Sequence, residues 1–348
     1  MLIEATLSDA PWKEIPARAQ AIEHLGFDSI GQPELKRDPI LPLALAATAT
    51  ERARLVPSVT IAFPRSPMVI AYQAWNLQEM SDGRFTAGLG TQVKGHIERR
   101  FSTVWGAPGP RLREYVMSLR AIWDTWQNGT PLDFTGEFYS FTLMTPEFSP
   151  PPLAVPPPKV HIAAVNTYNI QLAGELCDGL RIHGFTTPQY TRDVIWPNVV
   201  AGAQKSGRSL ADFEMVGGGF IATGETEEEI QKARASVRYR IAFYASTRTY
   251  LPVLEHHGWG AMNGELRRLI ARNRWDELAT VVPDEVVDTF CVSGTYREII
   301  PAIRARYEGE ADCLGFPLPK DPDHPSDDYR EALDALRRLA PASARHTG

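Results

Sequence analysis

The chain has 348 residues, 43% of them hydrophobic and 22% charged, with a formal net charge of −6. That balance suits a globular protein and argues against nucleic acid as a partner. No apolar run approaches the roughly eighteen residues a membrane span needs.

Leu2–Thr6 reads as a first strand, and Met1-Leu2-Ile3 offers no basic n-region or signal-peptide core. The stretch 11–25 places Ile15, Ala19, Ile22 and Leu25 on one helical face, and Gly26 ends it before a second strand over 27–31. A helix rich in Ala and Leu is predicted over 42–53. Residues 55–101 then form a full strand–helix–strand unit. An apolar β-branched run (Leu55 to Phe63) precedes a helix (Pro67 to Met80), a Ser81-Asp82-Gly83 turn and a strand from Phe85 to Leu89. Crossovers of this kind build parallel sheets and barrels, and in barrels the chemistry sits just past the C-terminal ends of the strands.

Residues 111–126 form a helix with Leu112, Tyr115, Leu119, Ile122 and Trp126 near one stripe. Aromatic and polar residues alternate over 132–143, which predicts a β-hairpin in an insertion. The prolines from Pro146 to Pro158 form either a stiff loop feeding the next strand or an interdomain linker. Strands follow at 160–165, 180–183, 214–223 and 312–317, with helices at 168–177, 194–206, 226–245 and 295–307. The alternation predicts an α/β fold, a (β/α)8 TIM barrel with insertions. It is read as one domain over 1–336, with insertions near 130–158 and 246–290 and a flexible tail over 337–348. Cys177, Cys291 and Cys313 are too far apart for a disulfide framework or a metal site, which fits a cytoplasmic protein.

Several polar loops should converge at the barrel mouth. Glu34 follows the second strand as a candidate acid/base or a solvated carboxylate. Ser58, Val59 and Thr60 lie in the third strand. Gly90, Thr91 and Gln92 close the fourth, although Gly88-Leu89-Gly90 is no dinucleotide fingerprint. Ala164, Val165, Asn166 and Thr167 precede a helix and suit either an anion site or a plain N-cap. His183 closes another strand. His96 lies in a polar helix start and is a second candidate acid. No His/Asp/Glu spacing suggests a metal, and neither a P-loop nor a serine nucleophile elbow is present.

Four segments carry a resemblance. They are Ser66-Pro67-Met68 through Gly83-Arg84-Phe85 to Gly88-Leu89-Gly90, Ala173-Gly174-Glu175 to Asp178-Gly179, Glu23-His24-Leu25-Gly26-Phe27-Asp28-Ser29, and Val292-Ser293-Gly294-Thr295. In order and at barrel spacing, they resemble the luciferase-like flavin and deazaflavin oxidoreductases. Thr91-Gln92-Val93, the run His96 to Arg100 and Leu143-Met144-Thr145-Pro146 look like the branch that uses coenzyme F420.

The resemblance implies hydride transfer between the deazaflavin C5 and a small, hydrophobic organic substrate, with protein groups orienting and polarising it. It implies a bulge, often a non-prolyl cis peptide, at Ser58-Val59 behind the ring. It also implies a phosphate on the turn from Ala164 to Thr167, where Asn166 replaces the usual Gly but tolerates a left-handed backbone. His183 joins the cofactor contacts. Relatives carry a His after the second strand. Here the stretch is Gln32-Pro33-Glu34-Leu35, so the resemblance leaves the proton donor as Glu34, His96 or neither. An FMN-dependent monooxygenase and a non-catalytic flavin-binding barrel are the alternatives, and a homodimer is expected.

Overall fold

The computed structural model describes residues 1–7 and 10–345. Nine parallel segments form one hydrogen-bonded sheet, from Arg54–Pro57 at one end to Thr60–Ile61 at the other. Those two end segments are halves of a single strand, interrupted by a cis peptide between Ser58 and Val59. The lower half pairs with Ser29–Gln32, the upper half with Thr86–Gly90, and a bridge from Leu55 to Phe85 joins the lower half to the same neighbour. Nine segments less one shared position give eight, and the ring is shut as a (β/α)8 TIM barrel. In chain order its strands are Leu2–Thr6, Ser29–Gln32, the broken third, Thr86–Gly90, Lys159–Ala164, Gly179–Ile182, Glu214–Val216 and Cys313–Gly315.

Local chemistry starts the helices where the sequence marks them. Ser66 accepts from Met68 N ahead of Pro67–Met80, and Thr226 accepts from Glu229 N ahead of Glu227–Ala245. Each hydroxyl satisfies an N–H that the first helical turn leaves over. The apolar core lies between strands and helices and includes Ile3, Leu55, Leu89, Ile162 and Leu180, with Trp75 and Trp123 on the helix side. Among the described residues, no helix is long and apolar enough to cross a membrane.

The barrel interior is polar. Strands three and seven stand on opposite sides of the ring, yet Arg54 Nη1 lies 2.5 Å from Glu214 Oε2, so this pair spans the interior. One layer nearer the mouth, Arg181 of the sixth strand pairs with Glu4 of the first, and Ser29 Oγ donates to Glu4 at 2.9 Å.

The expected strand over 214–223 is two strands. Gly217, Gly218 and Gly219 end the barrel strand at Val216, with Gly219 at φ 92°. Phe220–Gly224 then leaves the barrel and pairs in parallel with Cys291–Thr295. The helical excursion between them therefore hangs on its own two-stranded ribbon. The hairpin forms as expected, with Phe134 opposite Phe141.

A helix over Asp327–Arg337, not predicted from the sequence, buries Tyr329, Ala332, Leu333 and Leu336. Beyond it, Leu339 and Ala342 are buried, the Met1 amine donates to the Arg337 and Leu339 carbonyls, and Ser343 N donates to Asp312 Oδ1. The start of the expected tail thus packs onto the barrel because it has apolar side chains to bury; residues 346–348 lie outside the described residues.

Candidate active site at the barrel mouth

The C-terminal ends of strands three to six are neighbours in the ring. They bring Ser58–Thr60, Gly90–Gln92, Ala164–Thr167 and His183 to one rim. Strand registers identify the inward positions nearest the mouth. Glu4 faces inward, so its partner Gly315 does too; Thr6 lies beside Gly31, and Gly90 is level with Ala163. Four of these positions are Gly or Ala, which leaves a wide floor. A Cβ on Gly315 would meet nothing within 4 Å.

The glycines of the fourth strand have the opposite reason. A Cβ on Gly88 would lie 2.0 Å from the Pro57 carbonyl oxygen, and one on Gly90 would lie 2.6 Å from Val59 Cγ2. Only a bare backbone lets the broken third strand pack so closely. From below, Arg181 Nε and Nη2 donate to Ser58 Oγ at 3.3 and 3.2 Å. The cis peptide therefore rests on a charged layer made by Arg181, Glu4 and Ser29. Above it, Thr60 Oγ1 and Gln32 Oε1 are buried without partners, although Gln32 Nε2 donates to the Pro33 carbonyl at 3.1 Å.

Glu34 does not have the freedom of an acid/base. Its Oε2 accepts from Ile61 N at 2.8 Å and Arg65 Nη1 at 2.9 Å, while Oε1 accepts from both Arg65 terminal nitrogens at 3.1 Å. Arg65 also reaches Asp38 at 2.7 Å. A carboxylate with both oxygens so occupied braces the chain just after the cis peptide. The sequence could not pair these groups, because Arg65 lies on the next loop. His96 sits exposed on the short helix Lys94–Arg99.

Gln92 adopts φ 57°, and its Oε1 accepts from Val93 N at 3.0 Å, so this side chain shapes its own loop. Asn166 is extended at φ −104° and ψ 153°, not left-handed, and its Oδ1 accepts from Asn169 N at 2.9 Å. It is the N-cap of the helix Thr167–Leu176. That leaves the N–H groups of Thr167 and Tyr168, which have no intrahelical acceptor, for an anion.

His183 is boxed in. Its ring centroid lies 4.3 Å from that of Tyr244 at an interplanar angle of 80°, and 4.8 Å from that of Tyr250. Nδ1 accepts from Phe185 N at 2.9 Å. Burial first, and then the positive charge of Arg240, pull its pKa from 6.5 to about 4. Tyr244, Tyr250 and Arg240 come from the excursion after strand seven and were not among the expected site residues. Nor were Arg181 and Glu4, although each interrupts an apolar strand (Leu180-Arg181-Ile182; Ile3-Glu4-Ala5) at an alternating position. Trp259, from the same excursion, stacks on His257 at 4.8 Å.

The arrangement offers a broad floor of small residues, one bulged backbone edge, unpartnered buried polar atoms beside it and a helix start at the rim. Those features fit a flat ring with an anionic tail. Among the described residues, no group of three or more His, Cys, Asp or Glu side chains could hold a metal ion.

A family model described as luciferase-like monooxygenase matches residues 3–313. The uncharacterized protein Rv1360 of Mycobacterium tuberculosis is 43% identical over 294 residues, covering 84% of this chain and 86% of that one. A 5,10-methylenetetrahydromethanopterin reductase of Archaeoglobus fulgidus is 28% identical over 302 residues, covering 85% and 86%. Among solved structures, the coenzyme F420 dependent tetrahydromethanopterin reductase from Methanopyrus kandleri has the same fold, with TM-score 0.73 at 16% identity over 97% of each chain.

Proposed function

The chain belongs to the luciferase-like monooxygenase family, and we propose that within it the protein is an F420-dependent oxidoreductase acting on a small, hydrophobic organic substrate. The observation that carries this reading is the broken third strand, seated on Gly88 and Gly90 beneath a mouth floored by Gly31, Ala163 and Gly315. A flat ring can lie on such a floor with its edge against exposed backbone. A protein of Mycobacterium tuberculosis named "Putative coenzyme F420-dependent oxidoreductase", 26% identical to this chain over 294 residues, supports the deazaflavin reading.

When bound, the coenzyme would supply hydride chemistry at C5. Ser58, Val59 and Thr60 would back the ring, with Gly90, Thr91 and Gln92 beside it. Thr60 Oγ1 and Gln32 Oε1 would gain the partners they lack. Ala164, Val165, Asn166 and Thr167 would hold the phosphate at the helix start. Glu34 serves by bracing the third strand through Arg65. The aromatic side chains Phe185, Tyr244 and Tyr250 give the adjoining wall its apolar character and favour a hydrophobic substrate.

Calorimetric titration of the purified protein with oxidised F420 and with FMN tests the reading. Tighter binding of F420 is expected. Equal, weak or absent binding of both would remove its basis.

A further inference from the structure

The reaction proposed above needs a donor for the substrate oxygen, and the two acids expected from the sequence do not supply one. Glu34 is saturated by Arg65 and Ile61 N, and His96 is exposed. We infer that His183 is a catalytic residue whose Nε2–H donates to the reacting oxygen of a carbonyl or alcohol substrate. The inference rests on the oxidoreductase reading and moves His183 from the cofactor's contacts to the substrate's.

Position comes first. Arg181 faces the barrel interior, where it touches Glu4 and Ser58. His183, two residues beyond Arg181 and just past the strand's last residue Ile182, lies nearer the mouth, with its ring against Tyr244 and Tyr250. It therefore stands above the layer that supports the cis peptide, on the side where substrate would enter.

Tautomer comes second. Phe185 N–H points at Nδ1, so Nδ1 must be the unprotonated nitrogen and the single ring proton resides on Nε2. Among the described residues no protein group accepts from that Nε2. The ring itself is held between Tyr244 and Tyr250, which fixes the direction of the N–H.

Charge comes third. The groups facing the ring are Tyr244 and Arg240 of the helix Glu227–Ala245, and Tyr250 just beyond it. Arg240 also lies over the Phe220 ring at 4.8 Å. None is a carboxylate that would favour an imidazolium, and Arg240 opposes one. A neutral imidazole N–H is an effective electrophile toward a developing oxyanion. In the reductive direction, the carbonyl carbon would gain a hydride of the kind the bound coenzyme would supply. The C–O π pair moves onto oxygen, and that oxygen takes a proton from water. His183 stabilises the oxygen while charge develops and ends the cycle unchanged.

The full-length protein, His183→Phe and His183→Gln would be compared with cyclohexanone as probe. Imidazole ¹⁵N spectra of the ligand-free protein should show Nε2 protonated and the ring neutral at pH 6. With oxidised F420 present, the infrared carbonyl band of cyclohexanone should move to lower wavenumber. The band should stay at its solution position in His183→Phe and move partway in His183→Gln, whose amide N–H reaches toward the same point. Ketone reduction by reduced F420 should fall by roughly 10²–10³-fold in His183→Phe, the usual loss for one oxyanion donor. F420 titrations of the variants should match the unaltered chain. An unshifted band in the unaltered chain, an equal shift in His183→Phe, or weakened F420 binding by that variant would overturn the inference. Failure of the unaltered chain to bind F420 would instead sink the oxidoreductase reading and leave the Nε2 tautomer as a separate observation.

Discussion

Replacing His161 by phenylalanine should flatten the acid side of the stability profile. His161 lies wholly inside the barrel, and neither ring nitrogen has a hydrogen-bond partner. Burial is the largest influence on its pKa; Glu214 opposes the effect, and Arg181 and Arg54 reinforce it, so the value falls from 6.5 to about 4. The folded chain thus keeps the ring neutral at pH values where the unfolded chain protonates it. Stability linked to His161 is intact above pH 6.5 and is lost as the pH falls toward 4. At about 1.36 kcal/mol per pH unit, the drop from 6.5 to about 4 is worth roughly 3 kcal/mol, of which about 2 kcal/mol is gone by about pH 5. Phenylalanine cannot titrate and gives up no hydrogen bond, since His161 makes none. His183 carries a similar linkage, so the variant keeps that share and the difference between the two proteins isolates His161. Urea unfolding at a series of pH values from about 7.5 to about 5 measures it by linear extrapolation. The unaltered chain should lose about 2 kcal/mol more than His161→Phe across that range. Parallel curves would mean that His161 is hydrated or paired and that the interior is wetter than described.

Glu34→Gln should cost about 3 kcal/mol of stability, because it leaves Arg65 with Asp38 as its one remaining carboxylate in a largely buried site. Thermal or urea unfolding would show it, and unchanged stability would return Glu34 to the list of free acids. Asn166→Asp separates capping from ligand binding. Asp caps a helix as well as Asn, so stability should hold, while repulsion of a phosphate should weaken F420 binding by about 1–3 kcal/mol; unchanged affinity would put the phosphate elsewhere. A homodimer is expected through the helix Ile40–Ala47, where Leu41 and Leu45, one turn apart, are 58% and 37% exposed. Light scattering should find a dimer that Leu41→Glu with Leu45→Glu converts to a monomer, and a monomeric unaltered chain would count against it.

Much of the barrel can be read from the amino-acid order, because its signals are local. The helix Pro67–Met80 has the predicted bounds, since Ser66 and Pro67 start it and Ser81-Asp82-Gly83 turns it. The hairpin follows from alternation around Thr135-Gly136-Glu137. What escapes is non-local. Glu34 looks like a free acid until a loop 31 residues away supplies Arg65. The glycine run at 217–219 reads as strand interior, yet it is where the chain leaves the barrel for a ribbon closed by Cys291–Thr295. The helix Asp327–Arg337 hides behind a stretch rich in Pro and Asp, although Tyr329, Leu333 and Leu336 have helical spacing. The rim loops were legible as a group because they end consecutive strands. The box around His183 was not, because Tyr244 and Tyr250 arrive from the excursion.

The ring of strands also bears on how the protein is made. Leu2–Thr6 pairs on one side with Ser29–Gln32, which is synthesised soon after it, and on the other with Cys313–Gly315, which is synthesised long after both. Until Cys313–Gly315 emerges, the first strand therefore carries an unpaired edge, and unpaired edges recruit other chains. Glu4 lies in that strand, and its partner Arg181 emerges far earlier than Cys313, so the interior ion pair can form before the seam closes. A nascent chain released before residue 313 would keep the charged interior layer but present two open strand edges, and it should be recovered as aggregate or bound to chaperones instead of as a smaller soluble barrel.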